Sequence, residues 1–318
     1  MKFGISVSGA GGDVDHCLEL ARSADTLGYD SVWVFDHVVL PKQARTPYPY
    51  DASGEFILPW QSELPEPLMM MSALAVATKR VRIGSGVLVM PLRHPAVTAK
   101  MLAAADLLSK GRIVLGVGVG WLRDEFEALG LPPEHFERRG AVTDDYIRAV
   151  KEMWTSTGPS WYRGEFVEFE QVGTFPKPAQ KPHPPIVIGG KGRHALRRAS
   201  LLGNGYHGMA STPDELAAEV RMLHEIAALD RRDPREIEVQ LSQAIALHER
   251  PLEGERAPLA GSVEQVAEDL RRYGRAGLEH LVGTPFLVDA GALPIEQARA
   301  GIELFAQEIL PAFARGSP

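Results

Sequence analysis

The chain has 318 residues, 45% hydrophobic and 24% charged, the balance of an ordinary globular protein with room for one large domain. A formal net charge of −7 argues against nucleic acid as the main partner, because phosphate binding needs a basic face. One cysteine, Cys17, excludes an intramolecular disulfide, and its place in a helix-period segment marks a buried, inert thiol.

The opening MKFGISVSGAGG runs straight into a strand pattern, with no basic leader, apolar signal core or cleavage site. The longest apolar run, Leu68 to Ala77, contains Ser72 and is too short to span a bilayer. A cytoplasmic protein with no membrane partner is the expectation. Strand patterns fall at about 2–7, 31–35, 81–88, 112–117, 186–189, 206–209, 237–246 and 280–284. Helix patterns alternate with them at about 14–28, 67–78, 95–109, 137–156, 192–203, 213–230, 263–276 and 295–313. Start signals support several helices: Asp13 before the first, Thr212-Pro213-Asp214-Glu215 at the sixth, and Ser262 with Gln265 as a capping box at the seventh. Between 81 and 117 two Val/Ile/Leu-rich strands flank one helix, a βαβ unit that forces the strands parallel.

Eight βα units predict an α/β fold, a TIM (β/α)8 barrel over residues 1–318 as a single domain. An open doubly wound sheet competes, but it usually needs fewer strands and a fingerprint turn after the first. Two insertions break the rhythm. Pro41 to Pro65 follows the second strand, and Gly158 to Pro185, with the alternating SWYRGEFVEFEQV of a hairpin, lies between the fourth helix and fifth strand. Long loops in compact folds are more often functional than accidental, and a loop after a barrel strand faces the active-site mouth.

Four places could carry chemistry. Asp36 and His37 end the second strand, where catalytic groups of barrels sit, although a loop cap and a surface histidine fit the residues equally well. Gly84-Ser85-Gly86-Val87 puts glycine inside the third strand, the mark of a bulge or a close backbone approach to a ligand. Gly116, Gly118 and Gly120 remove alternate side chains where something flat could lie, or simply make a turn before Trp121. Gly189-Gly190-Lys191-Gly192 opens a helix with bare backbone N–H groups and one cation, which suits a phosphate. No GxSxG, CxxC or HExxH occurs, and Ile5-Ser6-Val7-Ser8 lacks the paired histidines of a metal-dependent barrel, so no metal is expected.

The run GSGVLVMPLRHP followed by SKGRIVLGVGVGWLRDE, with AxxADxLGYDSVWVFDH upstream and PPIVIGGKG downstream, resembles the bacterial luciferase-like monooxygenase superfamily. It is most similar to the branch that uses the deazaflavin coenzyme F420. The resemblance implies an F420-dependent oxidoreductase that moves a hydride between the cofactor and a small organic substrate. His37 would be its acid or base beside the ring. Asp36, Ser85, Gly118 and a bulge with a non-proline cis peptide at Gly86-Val87 would hold that ring. Gly189 and Gly190 would take the phosphate, with Lys191, Arg193, Arg197 and Arg198 as a basic rim for the anionic tail. Two departures matter. Val38-Val39-Leu40-Pro41 lacks the tryptophan found in the family's sugar dehydrogenases, and Trp121 replaces their proton-donating glutamate. An indole cannot transfer that proton, so an apolar or aromatic substrate fits better than a sugar phosphate. An FMN-dependent monooxygenase using reduced flavin and dioxygen is the nearest rival, and a non-catalytic flavin-binding protein the second. The family also implies a homodimer through helices two and three, and the segment from Pro67 to Ala77 is apolar nearly all round.

Overall fold

A computed structural model describes residues 1–8, 14–49, 53–56, 58–285 and 295–313. Asp13, the expected cap of the first helix, lies outside them. The elements run β1 (Lys2–Ser6), α1 (Val14–Leu27), β2 (Ser31–Val34), α2 (Pro67–Ala77), β3 (Arg82–Ser85), β4 (Leu88–Val89), α3 (Pro95–Ser109) and β5 (Ile113–Gly118). There follow α4 (Arg123–Ala128), α5 (Pro133–Glu137), α6 (Arg139–Thr155), the hairpin strands β6 (Ser160–Arg163) and β7 (Glu168–Val172), and β8 (Ile186–Gly189). The chain continues through α7 (Arg193–Leu202), β9 (Gly205–Met209), α8 (Pro213–Leu229), β10 (Glu238–Leu247) and β11 (Ala260–Gly261). It finishes with α9 (Val263–Arg275), β12 (His280–Pro285), α10 (Ile295–Glu308) and α11 (Leu310–Phe313).

Parallel pairing runs in the order β10, β12, β1, β2, β3, β5, β8, β9, and β9 pairs with β10 to close the sheet. This is the eight-stranded TIM barrel, with β3 and β4 together making its third strand. The expected third strand at 81–88 is thus two pieces, β3 on β2 and β5 and β4 on β5 alone, broken at Gly86 and Val87. The side-chain period of two turns one face of each strand toward the helices and the other toward the barrel axis. Outward residues such as Val32, Ile83, Leu115 and Ile188 join the main core under the helices. Trp33, Val114, Val187 and Val282 form a separate cluster on the inner face.

Helix boundaries follow local chemistry. Thr212 with Glu215 and Ser262 with Gln265 each make a capping box, so donors that α8 and α9 would otherwise leave unpaired are satisfied in a polar loop. Cys17 is fully buried and its Sγ donates to the Val7 carbonyl at 3.1 Å. The hairpin of β6 and β7 is antiparallel and is tied to α6 through Asp145, which accepts from Tyr162 Oη at 2.5 Å and Phe166 N at 2.7 Å. None of the helices among the described residues is long and apolar enough to cross a membrane.

Candidate active site at the barrel mouth

The carboxyl ends of β2, β3, β5 and β8 meet at one mouth, because the parallel sheet aims every strand the same way. Asp36, just beyond β2, is a buried carboxylate held by the fork of Arg93 at 2.6 and 2.8 Å and by the Val89 N–H at 2.8 Å. Arg93 reaches on to Glu66 at 3.0 Å, and Glu66 caps α2 by accepting from Met69 N at 2.9 Å. One charged chain therefore ties the end of β2 to β4 and to the start of α2. Asp36, expected to hold the cofactor's ring, has both oxygens engaged by protein groups, which ties the end of β2 to β4 and to Arg93. Ser85 is likewise fully buried, donating from Oγ to the Gly116 carbonyl at 2.9 Å and accepting from the Gly116 N–H at 3.0 Å.

Gly86 and Val87 are joined by a non-proline cis peptide. They are half-buried between fully buried neighbours on both sides, so this step is where the third strand reaches the mouth. The alternate glycines serve it directly. A Cβ on Gly118 would lie 2.5 Å from one Val87 methyl, and a Cβ on Gly189 would lie 2.6 Å from the other. On Gly116 it would lie 1.8 Å from the Ser85 carbonyl. Gly118, one of the glycines expected to clear space for a flat ligand, and Gly189, expected at the phosphate, both make room for the Val87 side chain, while Gly116 makes room for the Ser85 carbonyl. Beneath it, Trp33 and His207 lie with ring centroids 5.1 Å apart, and Nδ1 of His207 is 3.1 Å from the Gln240 amide oxygen. Burial pushes the His207 imidazole below the usual histidine range, which keeps this floor uncharged.

His37 stands three residues past the end of β2's buried run, with Nδ1 3.3 Å from Oε2 of Glu125 on α4. The other oxygen of Glu125 accepts from Val38 N at 2.5 Å and Val39 N at 3.3 Å. The insertion after β2 folds over this pair. Phe56 lies 5.1 Å from the His37 ring and 5.0 Å from Trp121, and Tyr48 lies 5.2 Å from Phe56 and 5.1 Å from Trp121. Arg45 pins the insertion to α4 through Asp124 at 2.6 Å and Glu127 at 2.5 Å. The result is an aromatic wall beside a paired imidazole and carboxylate.

At the end of β8, Gly190 and Gly192 have φ of +120° and +81°, the left-handed region that glycine adopts without a Cβ penalty. Gly192 caps α7 with no side-chain hydrogen bond, unlike the caps of α8 and α9. A Cβ there would meet nothing within 4 Å. Exposed Lys191 is on the lip, its Nζ 3.3 Å from the Ala210 carbonyl. An uncapped helix start in open space beside a lysine fits a phosphate. Arg198, expected in the basic rim, is instead paired with Asp144 and buried.

Glu125, Arg93, Tyr48, Phe56 and His207 join the site only in the folded chain. Arg93 lies within PLRHP and Glu125 in the acidic first turn after the glycines, but pairing either with its partner needs the fold.

Residues 1–256 match the family model described as luciferase-like monooxygenase. The chain belongs to this family. It is 34% identical over 260 residues to the F420-dependent glucose-6-phosphate dehydrogenase of Amycolatopsis mediterranei, covering 78% of this chain and 71% of that one. It is 30% identical over 216 residues to the FMNH(2)-dependent dimethylsulfone monooxygenase of Pseudomonas putida, covering 68% and 54%. Among solved structures, the monooxygenase RslO1 from Streptomyces bottropensis superposes with a TM-score of 0.80 at 24% identity, covering 99% of this chain and 100% of that one.

Proposed function

We propose that this chain is an F420-dependent oxidoreductase moving a hydride between coenzyme F420 and a small apolar or aromatic organic substrate. The observation that carries the reading is His37, held against Glu125 and walled by Phe56 and Trp121 at the same mouth as the Gly86–Val87 bulge. When bound, the deazaflavin supplies the hydride chemistry. The protein supplies the rest. Val87 offers a surface for the ring, the bare N-terminus of α7 with Lys191 takes the phosphate, and the aromatic wall keeps water from the substrate. His37 exchanges a proton with the substrate oxygen. Trp121 stands beside His37, where a sugar would want hydrogen-bonding groups, which favours an apolar substrate over a sugar phosphate. An FMN-dependent monooxygenase is the second reading, favoured by the likeness to the Pseudomonas putida enzyme.

The test is turnover of F420 with a panel of small alcohols and ketones, comparing the native protein with His37→Ala. The variant should lose about 10²–10⁴-fold in kcat while cofactor affinity holds. Unchanged turnover in the variant would remove His37 from the chemistry.

A further inference from the structure

Glu125 is a carboxylate 2% exposed, on a helix that supplies no cation to it. Among the described residues its sole ion-pair partner is His37. The neighbouring guanidiniums are committed elsewhere, Arg93 to Asp36 and Glu66 and Arg45 to Asp124 and Glu127. Its remaining hydrogen bonds come from the Val38 and Val39 amides. A buried carboxylate needs compensation, and two backbone donors plus one imidazole are what it has.

We infer that Glu125 is a positioning residue for His37, fixing the imidazole as its Nδ1–H tautomer and leaving Nε2 with a free lone pair. The inference rests on the acid–base role proposed for His37 and adds which nitrogen carries it and why. An ionised carboxylate only accepts hydrogen bonds, so the Nδ1 facing it must donate. The opposite nitrogen of the neutral ring is then unprotonated and can take the proton of a substrate hydroxyl, whose electron pair stays on oxygen. The positive imidazolium formed in that transfer faces the negative Glu125, so the carboxylate stabilises the charge as it appears. The two amide contacts serve the same end, holding the Val38–Val39 backbone in register with Glu125 so that the adjoining ring cannot drift. This is the logic by which a buried carboxylate orients a catalytic histidine in hydrolases, built here across two barrel loops.

The experiment is heteronuclear NMR of ring-labelled histidine in the cofactor-free protein, with the His37 signal assigned by its loss in His37→Gln. The native protein should show the Nδ1–H form. Glu125→Gln keeps the length and the amide acceptor but places an NH₂ where Oε2 was, so His37 should move toward the Nε2–H form. In the turnover assay the same variant should lose about 10²–10⁴-fold in kcat with KM nearly unchanged. Glu125→Asp keeps the charge but is one methylene short, and should show the same loss of tautomer order. An Nε2–H form in the native protein overturns the inference, whatever the variants do. So does a Glu125→Gln protein with native tautomer and native kcat. Absence of F420 turnover in every protein would instead overturn the proposed cofactor, while the NMR result still decides the role of Glu125.

Discussion

Asp36 looks from the sequence like a pocket residue, yet its side chain is wholly enclosed and clamped by Arg93. Breaking a buried pair from one side leaves the other charge without compensation, which costs more than the pair itself contributes. Arg93 keeps Glu66 as a second partner. Asp36→Asn should therefore destabilise the protein by about 3 kcal/mol, the low end for such losses. Urea unfolding measures it, and a loss below about 1 kcal/mol would place the pair with exposed ion pairs of little consequence. The position of Asp36 at a strand end was legible because barrels put ionisable groups there. Its partner was not, since Arg93 is 57 residues away and only the side-by-side pairing of the second and third strands brings the two together. Glu125 escaped notice for the same reason, being 88 residues from His37.

At the scale of elements, strand and helix order was readable because hydrophobic periodicity is a local property. The break between β3 and β4 was signalled by Gly84 and Gly86, although the room for Val87 comes from Gly118 and Gly189 on two other strands, which no local pattern links. The apolar helix α2 gave a clearer message. Leu68, Met70, Met71 and Leu74 turn into the chain's own core, whereas Met69 is 64% and Val76 is 73% exposed. On α3, Val97 and Leu108 are exposed as well. Tyr48 and Phe56 of the insertion after β2 pack on Trp121 at the mouth, not on this face. A homodimer through α2 and α3 is the expected consequence. Light scattering at micromolar concentration should report a dimer in the native protein, and Met69→Glu with Val76→Glu should give monomers. A native monomer under those conditions would contradict it.

For the molecule as a whole, acid stability depends on histidines sealed in the barrel. Burial pushes His280 down to about 3, and Ser31 Oγ lies 2.8 Å from its Nε2 while accepting from Trp33 Nε1 at 2.7 Å. The folded state keeps this ring neutral where the unfolded chain, titrating near 6.5, takes up a proton. Between those two values the unfolded state binds more protons, so stability rises with pH across the window and falls as pH drops through it. The slope is at most about 1.4 kcal/mol per pH unit for each such histidine, and His207 shifts in the same direction. Unfolding measured at pH 7 and pH 5 should show this loss, with a smaller one in His280→Gln. Equal pH dependence in the two proteins would mean the ring is not held neutral by the fold.

The cofactor is the centre of the account, and its choice is a property of the whole mouth. Trp121 stands beside His37, so ligand entry should quench intrinsic fluorescence. Parallel titrations of the purified protein with F420 and with FMN decide the matter most directly. F420 should bind more tightly, with affinity falling as salt rises because its tail is anionic and the lip carrying Lys191 is exposed. Tight FMN binding with none for F420 would contradict the account.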